Sequence, residues 1–181
     1  MNHWDIQVID EAKMSPETDR AIRDLLCASF PADDIVFSTT RAWHGSAPTY
    51  SLLARRDGRP CGHVGCVVRS VRVGMCSVCV SGIQNLAVIP ECRGSELGAR
   101  LMTAATTVAT ARGIPFGLLF CVPKLERFYL DLGWHTLHVN TLMDYLGEND
   151  NPIPGKNIAM AKDLAGQPFP RGDIHLCGAD W

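Results

Sequence analysis

A corner between a short apolar run and a helical pattern, VIPECRGSELGARLM at residues 88–102, constrains the fold of this chain more than any other feature. The apolar run ends at Pro90, and a helical pattern covers about residues 95–112. Gly113 and Pro115 then end the helix, as is common at helix C-termini. The stretch that follows them is again apolar and has the pattern of a buried strand. This order predicts a β-α-β segment with one long helix.

Further elements are predicted on both sides of this segment. Residues 4–10 alternate apolar and polar side chains as in a strand, and Ser15 begins a helix as its cap. A turn at residues 57–58 joins two strands in a hairpin. Gly82 and Asn85 interrupt the long strand before the corner and favour a bulge there. Beyond the central segment we predict a short helix at 124–132, a strand at 134–146, a loop at 147–157 and a last strand at 173–181.

Composition narrows the class of protein. With 181 residues, the chain is expected to form a single domain over residues 1–181, of the α+β class, around a mixed and mostly antiparallel sheet flanked by helices. A net charge of −2 without a basic block argues against a nucleic-acid partner. No apolar run reaches the roughly 20 residues of a membrane span. The N-terminus lacks the pattern of a signal peptide, so a cytoplasmic location is expected.

Most of the eight cysteines are interpreted as small buried side chains rather than as members of disulfides. Cys76 and Cys79 form a C-x-x-C pair, but a zinc site would use a second pair, which the sequence lacks. We therefore predict no metal site.

The start of the long helix has the chemistry of an anion site. The first turn of a helix carries backbone N–H groups without partners and a partial positive charge. Gly94 allows a phosphate to approach the backbone, and Arg93 adds a planar fork of donors. The alternative is an ordinary helix start with an exposed arginine, and these residues alone do not decide between the two.

The wider stretch at residues 83–135 resembles the GNAT family of N-acetyltransferases. Two motifs carry the resemblance, V-x-P-x-x-R-G at Val88, Pro90, Arg93 and Gly94, and F-Y-x-x-x-G-W at Phe128, Tyr129, Gly133 and Trp134. The resemblance implies a GNAT-like acyltransferase fold and a co-substrate, acetyl-CoA or another acyl-CoA.

The resemblance also implies where this co-substrate binds. The pyrophosphate is expected on the loop at the start of the helix, pantetheine beside the strand before it, and the thioester oxygen at the backbone N–H of Leu86. The cofactor-binding residues implied in this way are Leu86, Ala87, Val88, Arg93, Gly94, Ser95, Glu96, Leu97, Gly98 and Ala99. Glu96 departs from the family, which has a glycine at this position. We expect its carboxylate to point to solvent, to Arg93 or to Arg100.

The implied reaction is direct attack of a neutral amine on the thioester, followed by departure of the CoA thiolate. Tyr129 matches the general-acid tyrosine of the family, since a phenol can supply a proton to sulfur. The alternative for Tyr129 is a packing role on the sheet.

A narrower resemblance links the chain to aminoglycoside 2'-N-acetyltransferases, which are antibiotic-resistance enzymes. It rests on the C-terminal DIHLCGADW, on SFPADD at 29–34 and on residues 58–70. It implies that Asp33, Asp180 and the terminal carboxylate of Trp181 face the amino sugar. The alternatives are a solvated turn for Asp33 and a frayed C-terminus.

Gln84 stands where those enzymes carry a glutamate proposed as the base. An amide accepts no proton at neutral pH, so Gln84 is expected to bind substrate or orient a water. The base is then the Trp181 carboxylate, an aspartate acting through water, or solvent. The loss of an acid suits a less cationic acceptor, and kasugamycin is a candidate.

Three alternatives stay open. The strands, with GIPFGLLF at 113–120, also resemble the nodulation acyltransferase, which transfers a fatty acyl chain from a carrier protein to a chitooligosaccharide amine. A ping-pong enzyme would use Cys121 as nucleophile. A non-catalytic sensor would bind acyl-CoA without turnover. The expected partner is a small-molecule amine, and a homodimer is left open.

Overall fold

The computed structural model of the protein describes residues 4–43, 45–153 and 157–181. Within these ranges, ten strands form one mixed sheet. The strands are β1 (Asp5–Asp10), β2 (Tyr50–Arg56), β3 (Arg59–Val73), β4 (Cys76–Val88), β5 (Phe116–Cys121), β6 (His135–Leu137), β7 (Thr141–Tyr145), β8 (Glu148–Pro152), β9 (Ile158–Asp163) and β10 (Ile174–His175). The α-helices are α1 (Pro16–Ser29), α2 (Asp34–Phe37), α3 (Leu97–Ala111) and α4 (Glu126–Asp131).

The sheet is mostly antiparallel, which confirms the predicted α+β class. The central strands follow the order β6-β9-β5-β4-β3-β10-β7-β8, and β2 joins β1 to the first half of β3. Parallel pairing occurs between β4 and β5 and between β10 and β7. The β4–α3–β5 segment is therefore the predicted β-α-β unit.

The two long helices cover opposite faces of the sheet. The Ser15 hydroxyl caps α1 by accepting the Thr18 N–H at 3.2 Å, and the apolar side of α1 packs with Leu53 of β2. Leu52 and Ala54, its neighbours on β2, pack instead with the buried side of α3. This alternation is the period of two expected of a strand buried on both faces.

The strands β4 and β5 pair over only part of their length. The parallel register joins Val80–Ile83 to residues 116–119, and β4 then continues to Val88 without a partner on that side among the described strands. The register between β3 and β4 shifts after Gln84, where Asn85 has a φ of 52°. The predicted bulge is therefore present at Asn85, and it lies where β4 and β5 have parted.

The C-terminal third differs from the sequence prediction. The predicted strand at 134–146 is two strands, β6 and β7, and the predicted loop at 147–157 contains β8. Residues 154–156 of that loop lie outside the described residues. The predicted last strand shortens to β10, and β9 was not predicted. Polar side chains occupy β8, which explains why its pattern did not indicate a strand.

All eight cysteines are free thiols. Only Cys61, Cys66, Cys92 and Cys121 are buried, and Cys76 and Cys177 are exposed, so the prediction that most of them are buried is wrong. Within the described ranges, no helix is both long enough and apolar enough to cross a membrane.

Candidate active site

A cleft of about 580 Å³ opens where β4 and β5 part. Every predicted cofactor residue except Ser95 lines it, together with the predicted acid Tyr129. Its other lining residues, which sequence reasoning missed, are Ser29, Phe30, Cys92, Leu125 and Phe128. Phe30 lies within SFPADD and Phe128 within the F-Y-x-x-x-G-W motif, so membership of these motifs was the available signal.

The first turn of α3 provides backbone donors at the mouth of this cleft. The Arg100 N–H donates to the Glu96 carbonyl at 3.0 Å. The amides of Gly98 and Ala99 precede Arg100 in the first turn, where backbone N–H groups lack a partner within the helix. Such leading amides and the helix dipole favour an anion. The site thus has the donors that a phosphate group requires.

Glu96 takes a backbone conformation that favours glycine. Its φ of 61° and ψ of 3° are left-handed, and it immediately precedes α3. A residue with a Cβ is disfavoured there by roughly 1–2 kcal/mol relative to the right-handed region. The side chain is exposed, makes no ion pair with any described residue and lines the cleft. Of the three expected orientations, exposure agrees with solvent, and neither Arg93 nor Arg100 pairs with it.

Arg93 is more constrained than the sequence suggested. Its Nε donates to the Val88 carbonyl at 3.1 Å, and its Nη2 donates to the Ser29 carbonyl at 3.4 Å. The guanidinium therefore ties the end of β4 to the end of α1. Its remaining N–H groups are the ones left for a ligand. Ser95 donates its hydroxyl to the Cys92 carbonyl and does not line the cleft.

Leu86 follows the bulge directly and lines the cleft. In the registers of β4 with both neighbouring strands, neither Asn85 nor Leu86 is paired with a residue. The bulge therefore interrupts the regular pairing of β4 at Leu86, directly beside the cleft.

Tyr129 is buried on α4 beside the cleft. Its ring lies 4.9 Å from that of Phe128 and 6.3 Å from that of Trp134, measured between centroids. Burial, with a smaller contribution from the neighbouring Cys121, raises the pKa of the Tyr129 phenol. Among the described residues, its hydroxyl has no hydrogen-bond partner. A protonated phenol at the cleft is suited to donating a proton.

Cys121 has the properties of a structural thiol. It is buried, its Sγ lies 3.8 Å from Sδ of Met160, and burial raises its pKa to about 11. Since the thiolate is the nucleophilic form, these surroundings oppose a covalent role for Cys121.

The predicted acceptor residues lie mainly on the other side of β4. Gln84 is 3% exposed and donates from Nε2 to the Ser46 carbonyl at 2.8 Å. The Ser46 hydroxyl donates in turn to the Ala179 carbonyl at 2.7 Å. Ser46 thus joins Gln84 to the chain end that carries Asp180 and Trp181. Gln84 also accepts from Asn85 at 3.3 Å, so its side chain is engaged within the protein.

The C-terminus is firmly held rather than frayed. Arg69 donates from Nη1 to the Ala179 carbonyl at 2.7 Å, and its guanidinium lies 5.5 Å from the centroid of the Trp181 ring. Trp181 is buried against Gly82 and against Phe120, at 5.7 Å between rings. Asp180 is buried as well.

Asp33 lies apart from this group. It precedes α2, is half-buried and caps no helix with its side chain. No described hydrogen bond or ion pair joins Asp33 to Gln84 or to Trp181. The structure therefore brings Gln84, Asp180 and Trp181 together and leaves Asp33 at the α1–α2 connection.

Comparisons with known proteins concern the family and the fold of the chain. The family model described as nodulation protein A (NodA) matches residues 3–145. No curated protein matches the sequence significantly.

Solved structures of N-acetyltransferases share the fold. A GNAT family N-acetyltransferase (YhbS) from Escherichia coli in complex with CoA is 20% identical, with a TM-score of 0.69 over 98% of this chain and 91% of that one. A GNAT family acetyltransferase from Brucella melitensis in complex with acetyl-CoA is 20% identical, with a TM-score of 0.59 over 96% of each chain. An aminoglycoside 6'-N-acetyltransferase complexed with coenzyme A is 16% identical, with a TM-score of 0.61 over 91% of this chain and 99% of that one. At these identities the likeness concerns the fold, which is the GNAT acyltransferase fold.

Proposed function

The chain belongs to the nodulation protein A (NodA) family, and on that premise we propose that it is an N-acyltransferase that transfers an acyl group from a phosphopantetheine thioester to the amine of an amino sugar. The observation that carries the proposal is the cleft itself. It joins the leading amides of α3, the bulged end of β4 and the buried phenol of Tyr129 in one space. These are the donors and the acid that acyl transfer needs.

The residues present suit an acyl-CoA donor in most respects. The amides of Gly98 and Ala99 would hold the phosphates, and Leu86, Ala87 and Val88 would flank the pantetheine arm. Glu96 is the exception, since a carboxylate beside a diphosphate is unfavourable unless it faces solvent. Because the other lining residues suit an acyl-CoA, acetyl-CoA is the first donor to test.

Each step of direct transfer has a candidate group in the chain. The N–H of Leu86 would stabilise the negative charge that develops on the thioester oxygen. The phenol of Tyr129 would protonate the departing thiolate, since burial keeps it in its acid form. The amine must be neutral when it attacks, and its nitrogen must then lose a proton to solvent, to an aspartate through water, or to the Trp181 carboxylate.

The acceptor is proposed to be an amino sugar on two grounds. Both resemblances, to aminoglycoside acetyltransferases and to the nodulation acyltransferase, concern such amines. The tail that carries the aminoglycoside resemblance lies beyond residue 145, where the family match ends, and it is bound near Gln84. On this side of β4, Asp180 and Trp181 are the proposed contacts for the sugar, and kasugamycin stays a candidate with antibiotic resistance as its consequence.

The second candidate is nodulation-type transfer of a long acyl chain to a chitooligosaccharide amine, which the NodA match favours. The donor in that case would be an acylated carrier protein. A sensor that binds acyl-CoA without turnover is the remaining class.

The test is a thiol-release assay with purified protein and a panel of donors and amines. Acetyl-CoA and a long-chain acyl-CoA are each offered with kasugamycin, gentamicin and a chitooligosaccharide with one free amine. Release that depends on an amine, with an N-acylated product by mass spectrometry, supports the proposal and names the acceptor. Donor binding without release for any amine would contradict an enzymatic role.

A further inference from the structure

A buried polar network lies beneath the bulge of β4. The ring of His63, on β3, is fully buried, with Nδ1 at 3.1 Å from the Asn85 carbonyl oxygen and Nε2 at 3.2 Å from the Ser51 hydroxyl. The side-chain amide of Asn85 donates to the Arg41 carbonyl at 2.6 Å. The residue that forms the bulge is thus held through its own carbonyl and through its side chain.

The protonation of His63 follows from its partners. A carbonyl oxygen only accepts, so Nδ1 must carry a proton and donate it to Asn85. Burial lowers the pKa of His63 to about 4, so the ring is neutral near pH 7 and Nε2 is an acceptor. The Ser51 hydroxyl, whose Oγ lies 3.2 Å from Nε2 and 2.9 Å from Oε1 of Glu11, has one proton to donate to either of these two acceptors. The Glu11 carboxylate also accepts from Arg41, which donates to it from Nη1 at 3.0 Å and also from Nη2.

The bond to Asn85 fixes the direction of the Leu86 amide. The Asn85 carbonyl and the Leu86 N–H belong to one peptide group, which is planar and trans like every peptide in the described chain. In a trans peptide these two groups point in opposite directions. His63 is in register with Leu53 and Ala87, both of which pack in the cluster around α1. The Leu86 N–H must therefore point away from the α1 face.

We propose that His63 is a positioning residue, which holds the Asn85–Leu86 peptide so that its N–H faces the reacting carbonyl in the cleft. This inference rests on the proposed function, since the role of the amide as an oxyanion donor is part of it. A hydrogen bond to the carbonyl also polarises the peptide, which strengthens its N–H as a donor. His63 acts through the peptide and does not itself touch the substrate.

The first test needs no substrate. An HNCO nuclear magnetic resonance spectrum correlates the Leu86 amide with the Asn85 carbonyl carbon, which is the peptide in question. His63→Asn keeps an N–H donor at the δ position, whereas His63→Leu has the same shape as that variant without the donor. The Asn85 carbonyl signal is expected to move upfield in the leucine variant and to stay near its native position in the asparagine variant. Equal signals in all three proteins would overturn the proposal.

The second test separates positioning from folding in the transfer reaction. His63→Leu is expected to lower kcat about tenfold, part of what losing an oxyanion donor costs, while KM for the acyl donor is unchanged. His63→Asn is expected to restore most of kcat. Equal losses in the two variants would show a merely structural role. If the native protein transfers nothing, the proposed function fails, and the carbonyl shift still decides whether His63 orients the peptide.

Discussion

The indole ring of Trp181 lies so close to Gly82 that a Cβ at position 82 would come within 2.2 Å of its Cε2. The Trp181 ring therefore packs directly on the backbone of β4, at a position where any residue with a Cβ would clash with it. Gly82 and Gln84 are two residues apart on one strand, so their side chains share a face. This contact brings the last residue of the chain next to the segment that leads into the bulge.

Replacing Gly82 by alanine should displace Trp181 and lower the free energy of unfolding by about 1–3 kcal/mol, the usual cost of overpacking. Chemical denaturation measures this value. The matched experiment repeats the substitution in a chain that carries Trp181→Ala, where the added methyl group has room. We expect most of the cost to disappear there, and equal costs in the two backgrounds would refute the contact.

Glu96→Gly should relieve left-handed strain and remove a carboxylate from the cleft. The relief of strain in the folded state, roughly 1–2 kcal/mol, exceeds the entropic cost of glycine, about 0.5–1 kcal/mol, so the protein should become slightly more stable. Glu96→Gln removes the charge and keeps the side chain. Both variants should bind acetyl-CoA more tightly, but only the glycine variant should gain stability. If neither variant binds acetyl-CoA more tightly than the native protein, the carboxylate does not face the donor.

Tyr129→Phe should reduce kcat at least about tenfold, because the phenol is the proposed proton donor to the thiolate. Because burial raises the pKa of Tyr129, the phenol keeps its proton throughout the neutral and mildly alkaline range. The native rate should therefore not fall between pH 7 and about 9 through loss of this proton. An unchanged kcat in the phenylalanine variant would remove Tyr129 from the mechanism.

The lowered pKa of His63 predicts that the folded protein loses stability in acid. Its pKa is lowered in the folded protein to about 4, against 6.5 for the free side chain, so the unfolded chain takes up a proton first. The stabilising contribution is complete above about pH 6.5 and is lost as the pH falls toward 4, by an amount on the order of 3 kcal/mol. Denaturation of the native protein and of His63→Asn across this range measures it. Parallel pH profiles would contradict the assignment.

Cys121→Ala should leave transfer nearly intact. Burial raises the pKa of Cys121 to about 11, so little thiolate exists at neutral pH to attack a thioester. Mass spectrometry after incubation with acetyl-CoA alone should find no acylated enzyme. An acyl adduct on Cys121, lost in the alanine variant, would establish the ping-pong route instead.

The sequence was sufficient to predict the central part of the fold. Periodicity, the glycine-proline stop and the two motifs predicted β4, α3, β5 and the α4 region, because these elements follow local rules. The bulge at Asn85 was also predicted, since an asparagine in a strand accepts a positive φ more readily than most residues. Most residues of the predicted donor site are neighbours in the sequence, so the cleft could be anticipated from them.

Long-range contacts could not be predicted in the same way. The bond from Arg93 to the Ser29 carbonyl and the Ser46 link between Gln84 and the tail join segments far apart in the chain. No local pattern records such pairs. The network of His63 was missed for the same reason, since its members Glu11, Arg41, Ser51 and Asn85 lie far apart in the chain.

The measurement that most directly tests the account is calorimetric titration of the protein with acetyl-CoA. We expect binding by the native chain and by Thr107→Glu, which adds a carboxylate on the exposed side of α3. Ala99→Glu places the same charge in the first turn of α3, within the cleft, and should weaken binding about tenfold or more. If the native protein does not bind acetyl-CoA, or if the two variants bind it equally, the cleft is not a binding site for acetyl-CoA.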